Sequence, residues 1–519
     1  MVNQRCVPLL PAMNVSHAHS APTSGTLVDR PLFWLALLAM AHVAVRVAIS
    51  PSLKWDEAEQ ILWSQSLQWG YGAQPPLYTW LQWALNAVLG PSVLSLSVLK
   101  HSALALTYVL MWGAAREVLG PRGAWWASAS MLLLPPLGWS SVRDQTHSIL
   151  VTAMTCAAWW LLIRLVKHSR PRDFALLGLV CALGMLSKYS YALVVVAMAA
   201  AALSVPESRR ALLSRGWWWM PVVASLVLLP HLFWLANHFH EATSGTLDKM
   251  QIQPGMENAS LGMGLRNLLG GLLSVVLLWA VVSLWAFRSA WWTQGATPST
   301  PWLMQVFKRY FLLVVLCLLG MVLVAGVTHF RDRWILPLLC ALPLMAFVAR
   351  PDLQAHPRAA RYTAAVAVIA LLMLAAAGGR LWFGQFRGSP DELNHPIVEL
   401  ANVLKEAGYD GHSPIVAADH MLAGSLRTRF QQAPVRTCPA HKDDDVAACV
   451  KAAVDQARQA GRGWLLVSRS DRVEADWWTE AQSEVAPFAR LGVKLPLHPP
   501  GKLPPAHYHF AWQPPEKRS

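Results

Sequence analysis

Apolar segments long enough to cross a membrane recur along most of the chain, from Pro31 to Arg380. A spanning helix needs about 20 mostly apolar residues, because all of its backbone hydrogen bonds must form within the segment where water is absent. By this criterion the sequence predicts about 11 transmembrane helices, and hence a polytopic α-helical membrane protein. The predicted spans lie near residues 31–50, 92–115, 124–139, 146–166, 174–187, 189–205, 217–236, 267–287, 310–327, 334–349 and 362–379.

The composition agrees with a membrane protein. Of 519 residues, 55% are hydrophobic and only 14% are charged, whereas about 25% are charged in an ordinary soluble domain. The formal net charge of +14 would suggest a nucleic-acid partner if the basic residues covered a soluble face. Here they fall largely between apolar segments, which is typical of cytoplasmic loops. We therefore expect membrane lipids as partners and no nucleic acid.

Basic residues fall on alternate loops between the predicted spans, and this pattern predicts the orientation of the chain. By the positive-inside rule, loops rich in Lys and Arg face the cytoplasm. These loops contain Arg116 and Arg122, residues 167–172, residues 209–215, Lys308 and Arg309, and residues 350–361. The opposite loops comprise residues 51–91, 140–145, 188, 237–266 and 328–333. Because these opposite loops hold nearly every unusual polar cluster, we expect the functional site on the extracytoplasmic side.

The sequence predicts three parts. Residues 1–30 are polar and lack the features of a signal peptide, so we expect a disordered cytoplasmic tail. Residues 31–380 form the membrane domain, with residues 51–91 as its first outer loop. Residues 381–519 have ordinary polarity and suffice for one small soluble domain. An odd number of spans places this domain outside the membrane, on the extracytoplasmic side.

The C-terminal part has the sequence pattern of an α/β domain. Residues 414–418 and 463–467 are short apolar runs typical of buried strands, whereas residues 397–407 and 445–459 have helical periodicity. An oxidising compartment would allow Cys438 and Cys449 to form a disulfide, and two free thiols are the alternative.

Three carboxylates follow the first predicted span in the segment Trp55-Asp56-Glu57-Ala58-Glu59. Acidic side chains beside hydrocarbon are costly unless they are solvated, paired or used, so the cluster is a candidate functional site. Adjacent residues on a helix point about 100° apart, so Asp56 and Glu57 cannot both face one substrate atom. One of them would be catalytic and the other supporting. The alternative is a solvated charge cluster at a helix N-terminus.

The same outer loop continues to Gln74-Pro75-Pro76, where two prolines restrict the backbone. Such a shaped loop can present Tyr71 or Gln74 to a substrate. It is equally compatible with a rigid entry into the next helix.

Further charged residues lie at the outer ends of later spans. Asp144 is a candidate second active-site acid, or a residue that positions an acceptor or a metal; the alternative is a helix N-cap paired with Arg143. Lys188, followed by Tyr189, suits a phosphate anion as a point charge. The alternative for Lys188 is a side chain that extends to the membrane interface.

Arg331 and Arg333 can bind a phosphate through planar bidentate hydrogen bonds. The alternative is an Arg–Asp surface ion pair, which contributes little. His231, His238 and His240 have a spacing that permits metal ligation, but hydrogen-bonded histidines at an interface are commoner. We predict no metal ligand set and leave a divalent metal open.

These motifs, in this topology, resemble the dolichyl-phosphate-mannose protein mannosyltransferase superfamily, and in particular its bacterial branch, which includes the lipid A aminoarabinose transferase. The resemblance covers residues 31–350 or so and is most specific in its Asp-Glu and Gln-Pro-Pro motifs. The matching motifs are Trp55-Asp56-Glu57-Ala58, Gly70-Tyr71, Gln74-Pro75-Pro76-Leu77, Asp144, Gly184-Met185-Leu186-Ser187-Lys188-Tyr189, and Pro230, Trp234 and Asn237. In the C-terminal part, Asp419-His420 followed by Leu422-Ala423-Gly424-Ser425-Leu426 is a further shared element.

The resemblance implies a GT-C fold in a bacterial inner membrane, with the active site toward the periplasm. It implies transfer of a sugar from a polyprenyl-phosphate carrier to lipid A, another envelope glycan or a protein, usually with inversion at the anomeric carbon. Asp56 would be the general base for the acceptor hydroxyl, Glu57 would support it, and Asp144 would orient the acceptor or assist. Glu59 would do neither. The residues expected to contact the phosphate or substrate are Tyr71, Gln74, Lys188, Tyr189, Arg331 and Arg333.

Two other classes of function remain open from the residues. A transporter or flippase of a lipid-linked substrate would favour inverted repeats, broken helices and polar residues near the bilayer midplane. The sequence has no visible repeat, and its polar clusters lie on one side of the membrane. In a sensor, the soluble domain would be the working part and the outer-loop acids would be incidental.

Overall fold

The computed structural model of the protein describes residues 31–243, 261–292, 297–439, 445–471, 476–483, 485 and 488–515. The predicted tail, residues 1–30, lies outside the described residues, as does most of the predicted outer loop 237–266. The described chain forms a helical membrane part followed by a small sheet domain. This architecture confirms the predicted fold class.

Helices account for nearly all regular structure in the membrane part. In chain order they are α1 (Pro31–Ile49), α2 (Trp55–Trp63), α3 (Leu77–Leu89), α4 (Val93–Arg116), α5 (Pro121–Ala129), α6 (His147–His168), α7 (Pro171–Ser187), α8 (Tyr191–Ser204), α9 (Pro206–Leu212), α10 (Trp219–Asn237), α11 (Leu261–Phe287), α12 (Pro301–Leu323), α13 (Asp332–Leu339), α14 (Leu342–Ala349) and α15 (Ala359–Gly378). Helices α5, α7, α9 and α12 begin at proline, whose fixed φ and missing N–H suit the first helical turn.

Within the described residues, 8 segments are long and apolar enough to cross a membrane, or 9 if the bent pair α8 and α9 is one span. The predicted number of about 11 is therefore not confirmed. Residues 124–139 do not form one helix, because α5 ends at Ala129 and a 3-10 turn and a π-helical turn follow it around Pro135 and Pro136. Helices α7 and α8 have 17 and 14 residues, which is short for a full span.

Helix α6 forms the centre of the membrane part. Of its most apolar window, 83% is buried inside the protein, against 6% for α10. Helices α4 and α7 pack directly on it. His147, at the N-terminus of α6, is therefore buried within the protein.

The C-terminal domain is an α/β unit built on a mixed five-stranded sheet with the order β2-β1-β3-β5-β4. Its strands are β1 (Ile415–Ala417), β2 (Val435–Thr437), β3 (Trp464–Arg469), β4 (Leu491–Leu495) and β5 (Ala506–Gln513). Its helices are α16 (Arg380–Arg387), α17 (Ile397–Glu406), α18 (His420–Arg429), α19 (Val446–Gln459) and α20 (Asp476–Ser483). The predicted strands and helices of this part are all confirmed.

Register and packing give the domain two cores. Strand β1 is parallel to β2 and β3, with Ile415 opposite Val435 and Leu465, whereas β5 is antiparallel to β3 and β4. Separate apolar clusters cover the two faces of the sheet. Cys438 and Cys449 are joined by a disulfide, with their Cα atoms 5.8 Å apart.

Candidate active site

A cavity of about 560 Å³ lies where α2, α6, α8, α12 and α13 meet. Its polar wall includes Asp56, Gln74, His147, Lys188, Arg331 and Arg333. Its apolar wall comes from side chains within the helices, at Leu193, Leu318, Met321, Ile335 and Leu338. A concave site with a few convergent charges and an apolar extension suits a ligand with an anionic head and a hydrocarbon tail.

Helix α2 carries the acidic wall of this cavity. Lys54 is its N-cap residue, and the Lys54 backbone N–H donates to Glu57 Oε2 at 3.2 Å. Asp56 and Glu59 are three residues apart, so they lie on one face of α2, and both line the cavity. The sequence predicts no role for Glu59, whereas the structure places its side chain on the cavity wall. The spacing of Asp56 and Glu59 is the signal that could have placed it here.

Asp56 has the electrostatics of a proton acceptor. Its side chain is 21% exposed, and Arg333 Nη1 lies 3.8 Å from Asp56 Oδ2. Burial raises the pKa of Asp56 above its ordinary value, and Arg333 and Lys100 offset only part of that rise, while Asp144 adds to it. A carboxylate with a raised pKa binds a proton more readily, which is what a general base requires.

Glu57 lies on another side of α2, outside the cavity, with a side chain that is only 1% exposed. Its carboxylate accepts hydrogen bonds from Arg46 Nη2 at 2.6 Å, Arg46 Nε at 3.0 Å and Lys100 Nζ at 3.0 Å. Burial alone would raise its pKa, but Arg46 and Lys100 hold the pKa of Glu57 well below its ordinary value. Glu57 therefore joins α2 to α1 and α4 as an anchor that is ionised at neutral pH.

Sequence reasoning missed Arg46 and Lys100. Each is a single charge within a long apolar segment, and both are nearly fully buried. An ionisable residue inside a span is itself a signal, since it needs a partner there. The partner was identifiable only from the fold, because it lies on a different helix.

Lys188 occupies the turn between α7 and α8 and points toward the acidic wall. Its Nζ donates to Ser148 Oγ at 2.9 Å. Burial and the nearby Arg333 lower the pKa of Lys188 to about 7, although Asp56 acts in the opposite direction. A lysine with so low a pKa lacks a sufficient anionic partner, so an incoming anion would restore its charge.

Arg331 is the N-cap residue of α13, and Arg333 lies in the first turn of this helix. Both line the cavity wall opposite α2. The Arg331 guanidinium lies 6.0 Å from the centre of the Trp334 ring. Burial, followed by the neighbouring Arg333, lowers the pKa of Arg331. Together with Lys188, these residues concentrate positive charge in one enclosed space, which is the arrangement of an anion-binding site.

The predicted substrate contacts divide into two groups. Gln74 and Tyr189 line the cavity, and the Tyr189 hydroxyl lies 3.2 Å from His231 Nε2. Tyr71 is not on the cavity wall, because its hydroxyl donates to the Ser66 carbonyl oxygen at 2.8 Å and accepts from the Gln68 N–H at 2.9 Å. In the structure, Tyr71 shapes the loop that leads to Gln74.

Asp144 also lies outside the cavity wall. It is paired with Arg143 and with Arg380, whose Nη2 lies 3.0 Å from Asp144 Oδ1. The same Arg380 Nη2 is 3.6 Å from Asp391 Oδ2. Asp144 thus connects the second outer loop to the start of the C-terminal part. Its negative charge also raises the pKa of Asp56.

Within the ranges that the structure describes, no group of three or more His, Cys, Asp and Glu side chains is arranged to hold a metal ion. His231, one of the candidates, uses both ring nitrogens within the protein, with Nδ1 2.6 Å from the Trp69 carbonyl oxygen.

Comparison with known proteins identifies this architecture. Residues 73–234 match the family model described as dolichyl-phosphate-mannose-protein mannosyltransferase. The solved structure of ArnT from Cupriavidus metallidurans bound to undecaprenyl phosphate superposes with a TM-score of 0.59, covering 92% of this chain and 97% of that one at 13% sequence identity. The apo structure of the same protein gives a TM-score of 0.60. The fold is therefore the GT-C fold of ArnT.

Similar proteins of Rhizobium johnstonii indicate the family to which the chain belongs. The lipopolysaccharide core galacturonosyltransferase RgtB of Rhizobium johnstonii is 30% identical over 414 residues, which is 78% of this chain and 83% of the relative. The lipid A galacturonosyltransferase RgtD of the same organism is 31% identical over 240 residues, 44% of this chain and 48% of that protein. The protein is a multi-pass membrane glycosyltransferase. It belongs to the ArnT-related GT-C family that contains these galacturonosyltransferases.

Proposed function

We propose that the protein transfers a galacturonic acid residue from a polyprenyl-phosphate carrier to a lipopolysaccharide acceptor, either the core or lipid A. The observation that carries the proposal is one cavity in which Asp56 faces Lys188 and Arg333 beside an apolar extension. The names of RgtB and RgtD support the sugar and the acceptor class. The undecaprenyl phosphate bound to ArnT supports the carrier class.

In the proposed reaction, the carboxylate of Asp56 accepts the proton of an acceptor hydroxyl as that oxygen attacks the anomeric carbon. A new bond forms between the acceptor oxygen and this carbon, and the bond from the carbon to the phosphate oxygen breaks. Direct attack by the acceptor proceeds with inversion. The leaving group is the polyprenyl phosphate, which takes the bonding electron pair.

The departing phosphate gains negative charge, and preorganised cations stabilise that charge in the transition state. Lys188, Arg331 and Arg333 are the cations of the cavity wall. The apolar wall formed by α8, α12 and α13 accommodates the first part of the polyprenyl tail. Gln74 and Tyr189 contact the sugar or its phosphate.

The proposed setting is a bacterial inner membrane. The membrane domain of residues 31–380 carries the site, and the soluble domain of residues 381–519 stands on the periplasmic side. Two features support this orientation. The α2 wall of the cavity contacts the soluble domain, because the Trp55 ring lies 5.0 Å from the His420 ring. The basic loops at residues 116–122 and 350–361 lie together, where Arg122 Nη1 donates to the Gln354 carbonyl oxygen.

The direct test uses the purified full chain with synthetic undecaprenyl-phosphate galacturonic acid and lipopolysaccharide lacking its terminal sugars. The expected product is the acceptor plus one hexuronic acid residue, detected by mass spectrometry. A parallel reaction with undecaprenyl-phosphate galactose distinguishes an acidic from a neutral sugar. Release of undecaprenyl phosphate without a glycosylated product, or no turnover of either donor, would overturn the proposal.

A further inference from the structure

The soluble domain reaches the acidic helix α2 through α18. Gly424 of α18 lies so close to α2 that a Cβ atom placed on it would be 2.7 Å from both Cα and Cβ of Ala58, and 3.1 Å from the Ala58 carbonyl oxygen. One turn earlier on α18, the His420 ring lies 5.0 Å from the Trp55 ring, measured between centroids. The two contacts flank Asp56 in the chain of α2.

Hydrogen bonds extend this contact to both ends of α2. Before the helix, Leu53 N–H donates to Ser425 Oγ at 3.0 Å. After the helix, Gln65 binds the backbone of Val435 twice, as donor to its carbonyl oxygen and as acceptor from its N–H, each at 2.9 Å. The soluble domain therefore holds the chain just before and just after α2.

The remaining sides of α2 are held by the membrane part. Glu57 is bound by α1 and α4, and Gln60 accepts from Thr79 Oγ1 and lies 3.0 Å from His147 Nε2. Within the described residues, the side of α2 that carries Asp56 and Glu59 faces the open cavity. Displacement at the α18 contact therefore moves α2 relative to the cations of the opposite wall.

We infer that the soluble domain is a working part of the catalytic site, in which Gly424 and His420 are positioning residues that hold α2 with Asp56 in reach of the acceptor oxygen. The inference rests on the proposed function, because it assigns these residues a role in that same transfer. The inference also gives a role to the motif from Asp419 to Leu426, whose residues do not line the cavity.

Gly424→Ala is the sharpest probe of this role. Alanine is the better helix former, so the substitution favours α18 itself and acts on α2 through the close contact alone. Because the atoms met are those of the α2 backbone and Ala58, they cannot rotate away. Gly270→Ala, in α11, is the matched control, since its added Cβ would meet none of the described side chains or neighbouring helices within 4 Å.

Two quantities are measured on the full-length protein: the stoichiometry and Kd of undecaprenyl phosphate binding, and the turnover per binding site. The phosphate-binding cations lie on elements other than α2, so Gly424→Ala is expected to keep stoichiometry and Kd close to wild type. Turnover per site is expected to fall about 100-fold, the effect of a catalytic group misplaced by roughly 1 Å. Gly270→Ala is expected to change neither quantity.

A companion pair of variants tests His420. His420→Phe keeps a ring against Trp55 and is expected to retain most of the turnover, whereas His420→Ala is expected to lose about tenfold, a part of the misplacement effect. Unchanged turnover per site in Gly424→Ala would overturn the inference. So would a fall in stoichiometry that matches the fall in turnover, because that result describes a folding role alone. A wild-type protein without product would instead overturn the proposed function.

Discussion

Asp56 and Glu57 are neighbours on α2, yet their surroundings have opposite effects on them. Asp56 is 21% exposed on the cavity wall with one cation at 3.8 Å, and the pKa of its carboxyl is raised by burial. Glu57 is 1% exposed, and Arg46 and Lys100 hold its pKa well below the ordinary value despite burial. The difference shows that charge matching, rather than burial alone, sets the direction in which the pKa of a buried carboxylate moves.

Removing the carboxylate of the proposed base, Asp56, should have the largest effect. Asp56→Asn keeps the shape of the side chain but cannot accept the proton, so turnover is expected to fall about 10⁴-fold, the upper range for general-base catalysis. The thermal unfolding temperature should stay at the wild-type value. Glu207→Gln, an exposed acid on α9, serves as the control. Near-normal product formation by Asp56→Asn would remove Asp56 from the role of base.

Replacing the neighbouring Glu57 should instead lower the free energy of unfolding. Glu57→Gln leaves Arg46 and Lys100 buried without a countercharge, which is expected to cost about 3–5 kcal/mol of unfolding free energy. Denaturant unfolding in detergent measures this loss. Adding Lys100→Met should recover part of it, because one uncompensated charge is then removed. If Glu57→Gln unfolds like the wild type, the two carboxylates do not differ in the way described.

The cation opposite Asp56 supplies a third comparison. Lys188→Gln removes one charge from the anion-binding wall, and turnover is expected to fall about 100-fold, as for the loss of one preorganised donor. The Kd for undecaprenyl phosphate should rise in the same variant. Lys188→Arg preserves the charge and should retain more activity than Lys188→Gln. Equal activities of the two variants would assign Lys188 a packing role.

The pH dependence should give the smallest and most specific effect. Asp56 must be ionised to act as base, so kcat/KM should fall as pH drops through a pKa above the ordinary value of 3.8. Lys188 must be charged, so kcat/KM should also fall as pH rises through about 7. Arg333→Gln should move the acid limb to higher pH, since Arg333 lowers the pKa of Asp56. A limb that moves the other way would contradict this pairing.

The ionisation of Glu57 should not affect the pH dependence of kcat/KM. It should affect the pH dependence of the free energy of unfolding. Its pKa is lowered in the folded protein, so its stabilising contribution is complete above its ordinary value of 4.5. That contribution is lost only as pH falls below this value toward the lowered pKa. The free energy of unfolding, measured between neutral and acidic pH, tests the direction of this change. Glu57→Gln should make the free energy of unfolding less dependent on pH in the acidic range.

The fold class and the acidic helix were predictable because they depend on local properties. Apolar length identifies a membrane-spanning segment wherever it occurs, and an acid cluster beside such a segment needs a use or a partner. The number of membrane spans was harder to predict from the sequence. Pro135 and Pro136 interrupt a sufficiently apolar segment, and their effect on the backbone outweighs hydropathy.

The loops selected from the sequence meet at one cavity, but the sequence could not show which of their side chains line it. Asp56, Gln74, Lys188, Tyr189, Arg331 and Arg333 meet at one cavity. Tyr71 and Asp144 bind protein groups beside it, whereas Glu59 faces into it. Which of several polar residues on a loop faces the cavity depends on helix phase and on neighbours distant in the chain.

The sequence by itself determined that this chain crosses a membrane many times, carries its polar clusters on one side and ends in an α/β domain, because hydropathy, charge bias and periodicity act over a few neighbouring residues. Only the tertiary structure decided that Glu57 belongs to Arg46 and Lys100, that Asp56 faces Lys188 and Arg333, and that the soluble domain packs on α2 through Gly424. These pairings join residues tens to hundreds of positions apart, and no local pattern specifies which partner a charge or a glycine will meet.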